Sequence, residues 1–155
     1  MPLRALDTNG YVEILRGGPR AAAIRAAMAG AGTDLVVLAP VIAELQQGAR
    51  TAAEGRTLLQ RFFEPVPAGR RVAAGPAEWA ATGALVAAMA RAGHGADELA
   101  RRAFFLDVHI AHVCRARGVV LWTDDGDHAR IQAYVGHRVE PLPGGAAAGV
   151  SRPDA

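Results

Sequence analysis

The chain has 155 residues, 51% of them apolar and 21% charged, which is one globular domain with a real core and not two. All 17 basic residues are arginine, the net charge is only +2, and Ser151, Asn9 and Cys114 are each the sole residue of their type. The missing lysine excludes Schiff-base and phosphate-loop lysine chemistry, a lone serine in a Gly/Ala/Pro-rich tail excludes a serine triad, and a lone cysteine excludes an intrachain disulfide or a Cys-rich zinc site. What remains is carboxylates, five histidines, arginines and a few threonines. No stretch reads as a signal peptide or approaches the ~20 apolar residues of a membrane span, so a cytoplasmic protein with no membrane partner is expected. The isoelectric point of about 9.3 hints at a polyanionic partner.

In chain order, Leu3–Leu6 reads as a short buried strand ending at Asp7. Thr8–Arg16 reads as a helix closed by Gly17-Gly18. Pro19 opens a second helix to about Met28, and Gly30–Gly32 is expected to be a loop. Leu35–Leu38 is a second buried strand. Pro40 begins a helix to about Arg50, and another follows from Thr51 to Phe63. Arg71–Ala73 is a weak strand. The helix from Pro76 carries an apolar stripe of Trp79, Val86 and Met89 and breaks at His94-Gly95. Phe104–Ala116 is a helix stopped by Gly118. Val119–Trp122 is a clean strand, Asp124–Val135 a short helix, and Arg138–Glu140 a last strand. Residues 141–155 read as a flexible C-terminal tail behind a domain spanning 1–140. Short apolar strands alternating with helices imply an α/β domain with a mostly parallel sheet.

In such a sheet, ligands gather at the carboxyl ends of the strands. Asp7 follows the first strand, and Asp124, Asp125 and Asp127 follow Val119–Trp122, so acids arrive at one edge. Asp107 shares a helix face with Ile110, Ala111 and Cys114, and Glu44 is flanked by Val41, Ile42 and Leu45; burying a lone carboxylate there is costly. Two like charges ~4 Å apart repel by ~4 kcal/mol at an effective dielectric near 20. Mg²⁺ or Mn²⁺, hard cations that favour oxygen ligands, would offset that repulsion. Taken singly, each acid has an ordinary explanation. Asp7 and Asp124–Asp127 fit helix caps, Asp107 a cap or a pair with Arg101 or Arg102, and Glu44 an amphipathic-helix position.

Four motifs in order carry a resemblance: Leu6-Asp7-Thr8-Asn9, Ala43-Glu44-Leu45 with Gly48-Ala49, Asp107-Val108-His109-Ile110-Ala111, and Leu121-Trp122-Thr123-Asp124-Asp125-Gly126-Asp127. Together they resemble the PIN-domain ribonucleases, and within them the VapC-type toxins of bacterial toxin–antitoxin pairs, over about residues 3–140. The resemblance implies a three-layer α/β/α fold and an endoribonuclease dependent on Mg²⁺ or Mn²⁺ that leaves 5′-phosphate and 3′-hydroxyl ends. It assigns catalysis to Asp7, Glu44, Asp107 and Asp125, with Asp127 as an additional metal ligand and Thr8 and Thr123 in support. Asp125, two residues after Thr123, matches better than Asp124. The implied partners are an RNA substrate, a cognate antitoxin and a second copy in a homodimer.

Two positions depart from the family pattern. His128 stands where an aromatic is usual, and His109 where an apolar residue is usual. His109 and His112 are expected to be helix-surface histidines rather than zinc ligands, and Cys114 a small core residue. Arg16, Arg20 and Arg50 are the candidate RNA contacts, with Arg56 also near the acidic motifs. Few aromatics are present to stack on bases. A catalytically silent binding module of the same fold is the alternative. A phosphatase or receiver-like domain using Asp7 is disfavoured by Asn9 two residues on and by the missing lysine.

Overall fold

The computed structural model describes residues 1–95, 97 and 101–145. Its strands are β1 (Leu3–Leu6), β2 (Val37–Leu38), β3 (Arg71–Val72), β4 (Val119–Trp122) and β5 (Arg138–Glu140). Its helices are α1 (Thr8–Leu15), α2 (Ala21–Ala31), α3 (Ala39–Gly48), α4 (Ala52–Leu58), α5 (Pro76–Arg91), α6 (Arg102–Arg117) and α7 (Gly126–Val135). Every strand pairing among the described residues is parallel: β4 lies between β1 and β5, and β2 pairs with β3. A single parallel bridge from Arg4 to Leu35, with the Val36 N–H donating to the Arg4 carbonyl at 2.8 Å, joins the two parts in the order β3-β2-β1-β4-β5. Helices flank this sheet in a three-layer α/β/α arrangement.

β4 is buried at all four positions, as a central parallel strand covered on both faces must be. The main core joins Leu6, Val37, Leu38, Ile110 and Leu121, and a second cluster joins Met89, Phe104, Val108, Ile131 and Val135 across α5, α6 and α7. α6 is the hub. From Phe104 to Cys114 it buries eight residues, because α3, α5, α7 and β4 all pack on it. Gly118 then takes the left-handed conformation (φ 65°) that ends the helix, as its position predicts.

Several expectations need correction. α2 continues through Gly30 to Ala31, where a loop was expected; the turn comes at Gly32 (φ 52°), whose N–H caps the Met28 carbonyl. The helix expected over Thr51–Phe63 is regular only to Leu58 and then widens into a π-type turn over Leu59–Phe63. On α5 the buried residues are Thr82 and Met89, while Trp79 is 49% exposed. The segment expected to fray from Pro141 begins with Leu142, which is 2% exposed and packs into the main core; its N–H donates to Asp124 Oδ1 at 3.0 Å. The rest of that expected tail, 146–155, lies outside the described residues.

Candidate metal centre

The register places the site. Leu6 pairs with Trp122, and the Asp7 N–H donates to the Trp122 carbonyl at 3.0 Å, so Asp7 and Thr123 leave the sheet side by side at its carboxyl edge. Asp7 caps α1: its Oδ1 accepts the Thr8 N–H at 2.7 Å, and its Oδ2 accepts the Thr123 hydroxyl at 2.8 Å. The same Thr123 hydroxyl accepts the Asp125 N–H at 3.0 Å. Asp125 caps α7 by accepting the Asp127 N–H at 2.9 Å. One threonine hydroxyl thus holds the carboxylate of Asp7 and the backbone of Asp125.

Asp107 arrives from α6, five residues beyond the first residue of that helix, so it caps nothing. It is 7% exposed, and the charged group beside it is His128, whose Nε2 lies 3.6 Å from Oδ1. Carboxylate oxygens of Asp107, Asp125 and Asp127 all lie within 4.8 Å of one another. Asp127 also meets Arg130 at 3.3 Å. Glu44, on the middle of α3, accepts the Thr8 hydroxyl. Thr8 therefore ties Glu44 to the start of α1 as Thr123 ties Asp7 to the start of α7.

The fields of these acids reach one another. Burial raises the Asp107 pKa above its ordinary value, the His128 contact works against that, and the charges on Asp7 and Asp125 add to the rise. Burial likewise raises Glu44; the Thr8 hydrogen bond opposes the shift, and Asp107 and Asp7 reinforce it. Burial alone would lower the His128 pKa, yet its contact with Asp107 and the charges on Asp7, Asp107 and Asp125 carry it upward. Burial leads the shifts of Asp107 and Glu44, and in all three groups the neighbouring negative charges push the same way. An all-carboxylate donor set of this kind fits a hard divalent cation.

Asp124 plays another part. It pairs with Arg20, which also lies 3.9 Å from Glu13, and it holds the Leu142 N–H. Arg20 is thereby committed within the fold, whereas the side chains of Arg16 and Arg50 have no partner among the described residues. Cys114 is buried, and burial pushes its thiol up to about 12, leaving an inert core residue.

His109 is not on the surface. It is fully buried, with Nδ1 3.1 Å from the Thr82 hydroxyl and its ring stacked under Trp79 at 3.7 Å. His112 is half-buried. The sequence reading also missed His137, buried and packed edge-on against His128 at 5.5 Å. No local pattern marks either contact, because Thr82 and His109 sit on different helices and His137 lies in a connection beyond α7.

A parallel sheet whose carboxyl edge gathers acids after β1 and β4 and from α6 defines an α/β domain with an acidic centre. The PIN domain family model matches residues 5–134, and the chain belongs to that family. No curated protein sequence matches it. Among solved structures, a chain of FitAcB from Neisseria gonorrhoeae is similar at a TM-score of 0.63 and 22% identity, over 88% of this chain and 96% of that one. A chain of DNA-bound VapBC from Salmonella typhimurium is similar at a TM-score of 0.64 and 22% identity, over 92% and 99%. At that identity the likeness concerns the fold. Among the described residues, no helix is long and apolar enough to cross a membrane.

Proposed function

We propose that this chain is an endoribonuclease dependent on Mg²⁺ or Mn²⁺ and the toxin of a toxin–antitoxin pair. The observation that carries the reading is the convergence of Asp107, Asp125 and Asp127 within 4.8 Å at the carboxyl edge of the sheet. These three would hold the cation, with Asp7 and Glu44 completing the acidic wall. When bound, such an ion lowers the pKa of water and stabilises charge on a phosphoryl oxygen.

The chain's own groups supply orientation. Thr123 holds the Asp7 carboxylate and the Asp125 backbone, and the Asp127 N–H holds the Asp125 carboxylate. Thr8 does the same for Glu44. No side-chain nucleophile is required, in keeping with a chain that lacks lysine and has one serine and one cysteine. Arg16 and Arg50 are the candidate phosphate contacts. FitAcB and VapBC are complexes by name, and here the corresponding partner is a separate antitoxin protein, with a second copy of the chain forming a homodimer.

Incubation of the purified protein with total RNA tests the reading. Cleavage should require Mn²⁺ or Mg²⁺, stop with EDTA, and be lost in Asp107→Asn and Asp125→Asn. Activity that persists in EDTA sinks the proposal. Calorimetric titration with Mn²⁺ separates it from a silent binding module, which would take up no metal. A small adjacent reading frame encoding a DNA-binding protein, and growth arrest on expression, test the toxin assignment.

A further inference from the structure

We infer that the cleft beside Glu44 is a base-recognition pocket that seats one nucleotide of the RNA strand next to the bond being cut. This rests on the nuclease reading above and assigns it a specificity site. The cleft has a volume of about 380 Å³, within the ~300–1,000 Å³ of pockets that enclose small ligands. It lies between α1, α3 and α4. Thr8 and Glu44 both line it, so it borders the acidic wall. Val12, Leu15, Leu45 and Leu58 supply apolar walls, and Leu15 is 37% exposed there.

The rim selects the occupant. Arg16 at the end of α1 and Arg50 after α3 both line the cleft, and neither guanidinium has a partner among the described residues. The one acid on that rim, Glu54, is engaged: it accepts the Arg50 N–H at 2.8 Å. A second cleft continues from Ala49 and Arg50 to Arg56. An apolar slot flanked by guanidinium groups without a partner among the described residues, and bordering an acidic centre, complements a base carried on a phosphate backbone. The walls hold no aromatic side chain, so discrimination rests on fit to the slot and not on stacking.

Gly48 gives a clean way to close the cleft. It lines the slot at the end of α3, and a Cβ added there meets nothing within 4 Å. Its φ is not in the left-handed region, so Gly48→Phe adds a ring at the border of the slot without backbone strain.

The test uses the four homopolymeric RNA tetramers, fluorescein-labelled, in EDTA so that nothing is cut, with binding read by fluorescence anisotropy. Wild type should prefer one base by at least roughly tenfold over the least favoured. Gly48→Phe should erase that preference, and Gly48→Met should reduce it. Arg16→Ala and Arg50→Ala should weaken all four tetramers alike and each lower the slope of log affinity against log salt by about 0.7. Circular dichroism melts check that each variant folds. Equal binding of all four tetramers by wild type overturns the inference. So does a preference untouched by both Gly48 variants, the result expected if the slot seats a protein segment. Mn²⁺-dependent cleavage by wild type is scored separately. A Gly48-dependent preference without cleavage sinks the nuclease reading and leaves the pocket standing. Cleavage with a preference blind to Gly48 does the reverse.

Discussion

Asp7 and Asp107 are buried to nearly the same extent, 3% and 7% exposed, yet the protein treats them in opposite ways. Asp7 has a donor on each oxygen, the Thr8 N–H and the Thr123 hydroxyl. Among the described residues Asp107 has only the His128 edge at 3.6 Å, too long for a good hydrogen bond. A carboxylate that is fully hydrogen-bonded is part of the scaffold. One that is buried without donors costs folding free energy, and under the proposed function a bound cation would offset that cost. The two acids on one sheet edge therefore divide the work: the β1 acid holds the shape, and the α6 acid holds charge in readiness.

Replacing each by its isosteric amide breaks the comparison most directly. Both Asp7→Asn and Asp107→Asn should lower RNA cleavage, by on the order of 10²–10³, the usual cost of removing one preorganised electrostatic group. Their stabilities should part. The Thr8 N–H claims the amide oxygen of Asp7→Asn, so the NH₂ faces Thr123, whose hydroxyl must turn its proton away and lose the hydrogen bond it donates, at a cost of about 1–3 kcal/mol. Asp107→Asn loses no comparable hydrogen bond and relieves both burial of charge and repulsion from Asp7 and Asp125, so its melting temperature should hold or rise. Equal destabilisation of the two variants in thermal melts would collapse the distinction.

Adding metal should produce the next largest effect. At about 100 times its dissociation constant, Mn²⁺ stabilises a one-site protein by about 2.7 kcal/mol. That gain in melting temperature should vanish in Asp107→Asn and Asp125→Asn and reverse on adding EDTA. An unchanged Mn²⁺ shift in Asp107→Asn would move the site elsewhere.

These expectations trace back unevenly to the primary structure. The strand-end acids were legible because strand and acid are contiguous: Leu6 runs into Asp7 and Trp122 into Thr123, and parallel pairing does the rest. Asp107 was legible as an anomaly, a charge on an otherwise apolar face. Burial of His109 was not. α6 is packed on nearly all sides, so the polar–apolar alternation that marks a surface histidine carries no information there. Leu142 was hidden for another reason. One leucine in a Gly/Pro-rich stretch reads as a tail, and only its placement beside Asp124 and Gly10 of α1 shows it as an anchor. Arg20 was chosen for nearness in sequence to Asp7, whereas its partner Asp124 is 104 residues away.

Acid titration sharpens the contrast with a smaller effect. The folded-state pKa of Asp107 and of Glu44 lies above the ordinary values of 3.8 and 4.5. Protons therefore bind the folded metal-free protein more tightly than the unfolded chain. These two groups stabilise the metal-free fold as pH falls through their raised values toward the ordinary ones. Metal binding needs them ionised, so the same change weakens it. The Mn²⁺-induced gain in melting temperature should shrink as pH falls through the raised values toward the ordinary ones. A gain independent of pH over that range would show that the raised carboxyls are not the ligands.

The smallest effect comes from behind the acids. His137 is 1% exposed, neither ring nitrogen has a hydrogen-bond partner in the described structure, and burial together with repulsion from His128 and His112 pushes its pKa down from 6.5 to about 4. Here the folded value is depressed, so the sign is opposite to that of the carboxyls. The unfolded chain takes up a proton below 6.5 and the folded chain does not until about 4, so the stability is complete above 6.5 and drains away as pH falls across that window. His137→Phe keeps an aromatic ring in the cavity and removes the titration. It should flatten the pH dependence of metal-free stability between those limits by about one proton, read from melts at constant ionic strength. It should leave the Mn²⁺ titration midpoint unchanged, because His137 meets the centre only through the edge of the His128 ring. A shifted midpoint would mean that the histidine layer and the acids act as one unit, and Asp107 would then owe its readiness to that layer as much as to its own lack of donors.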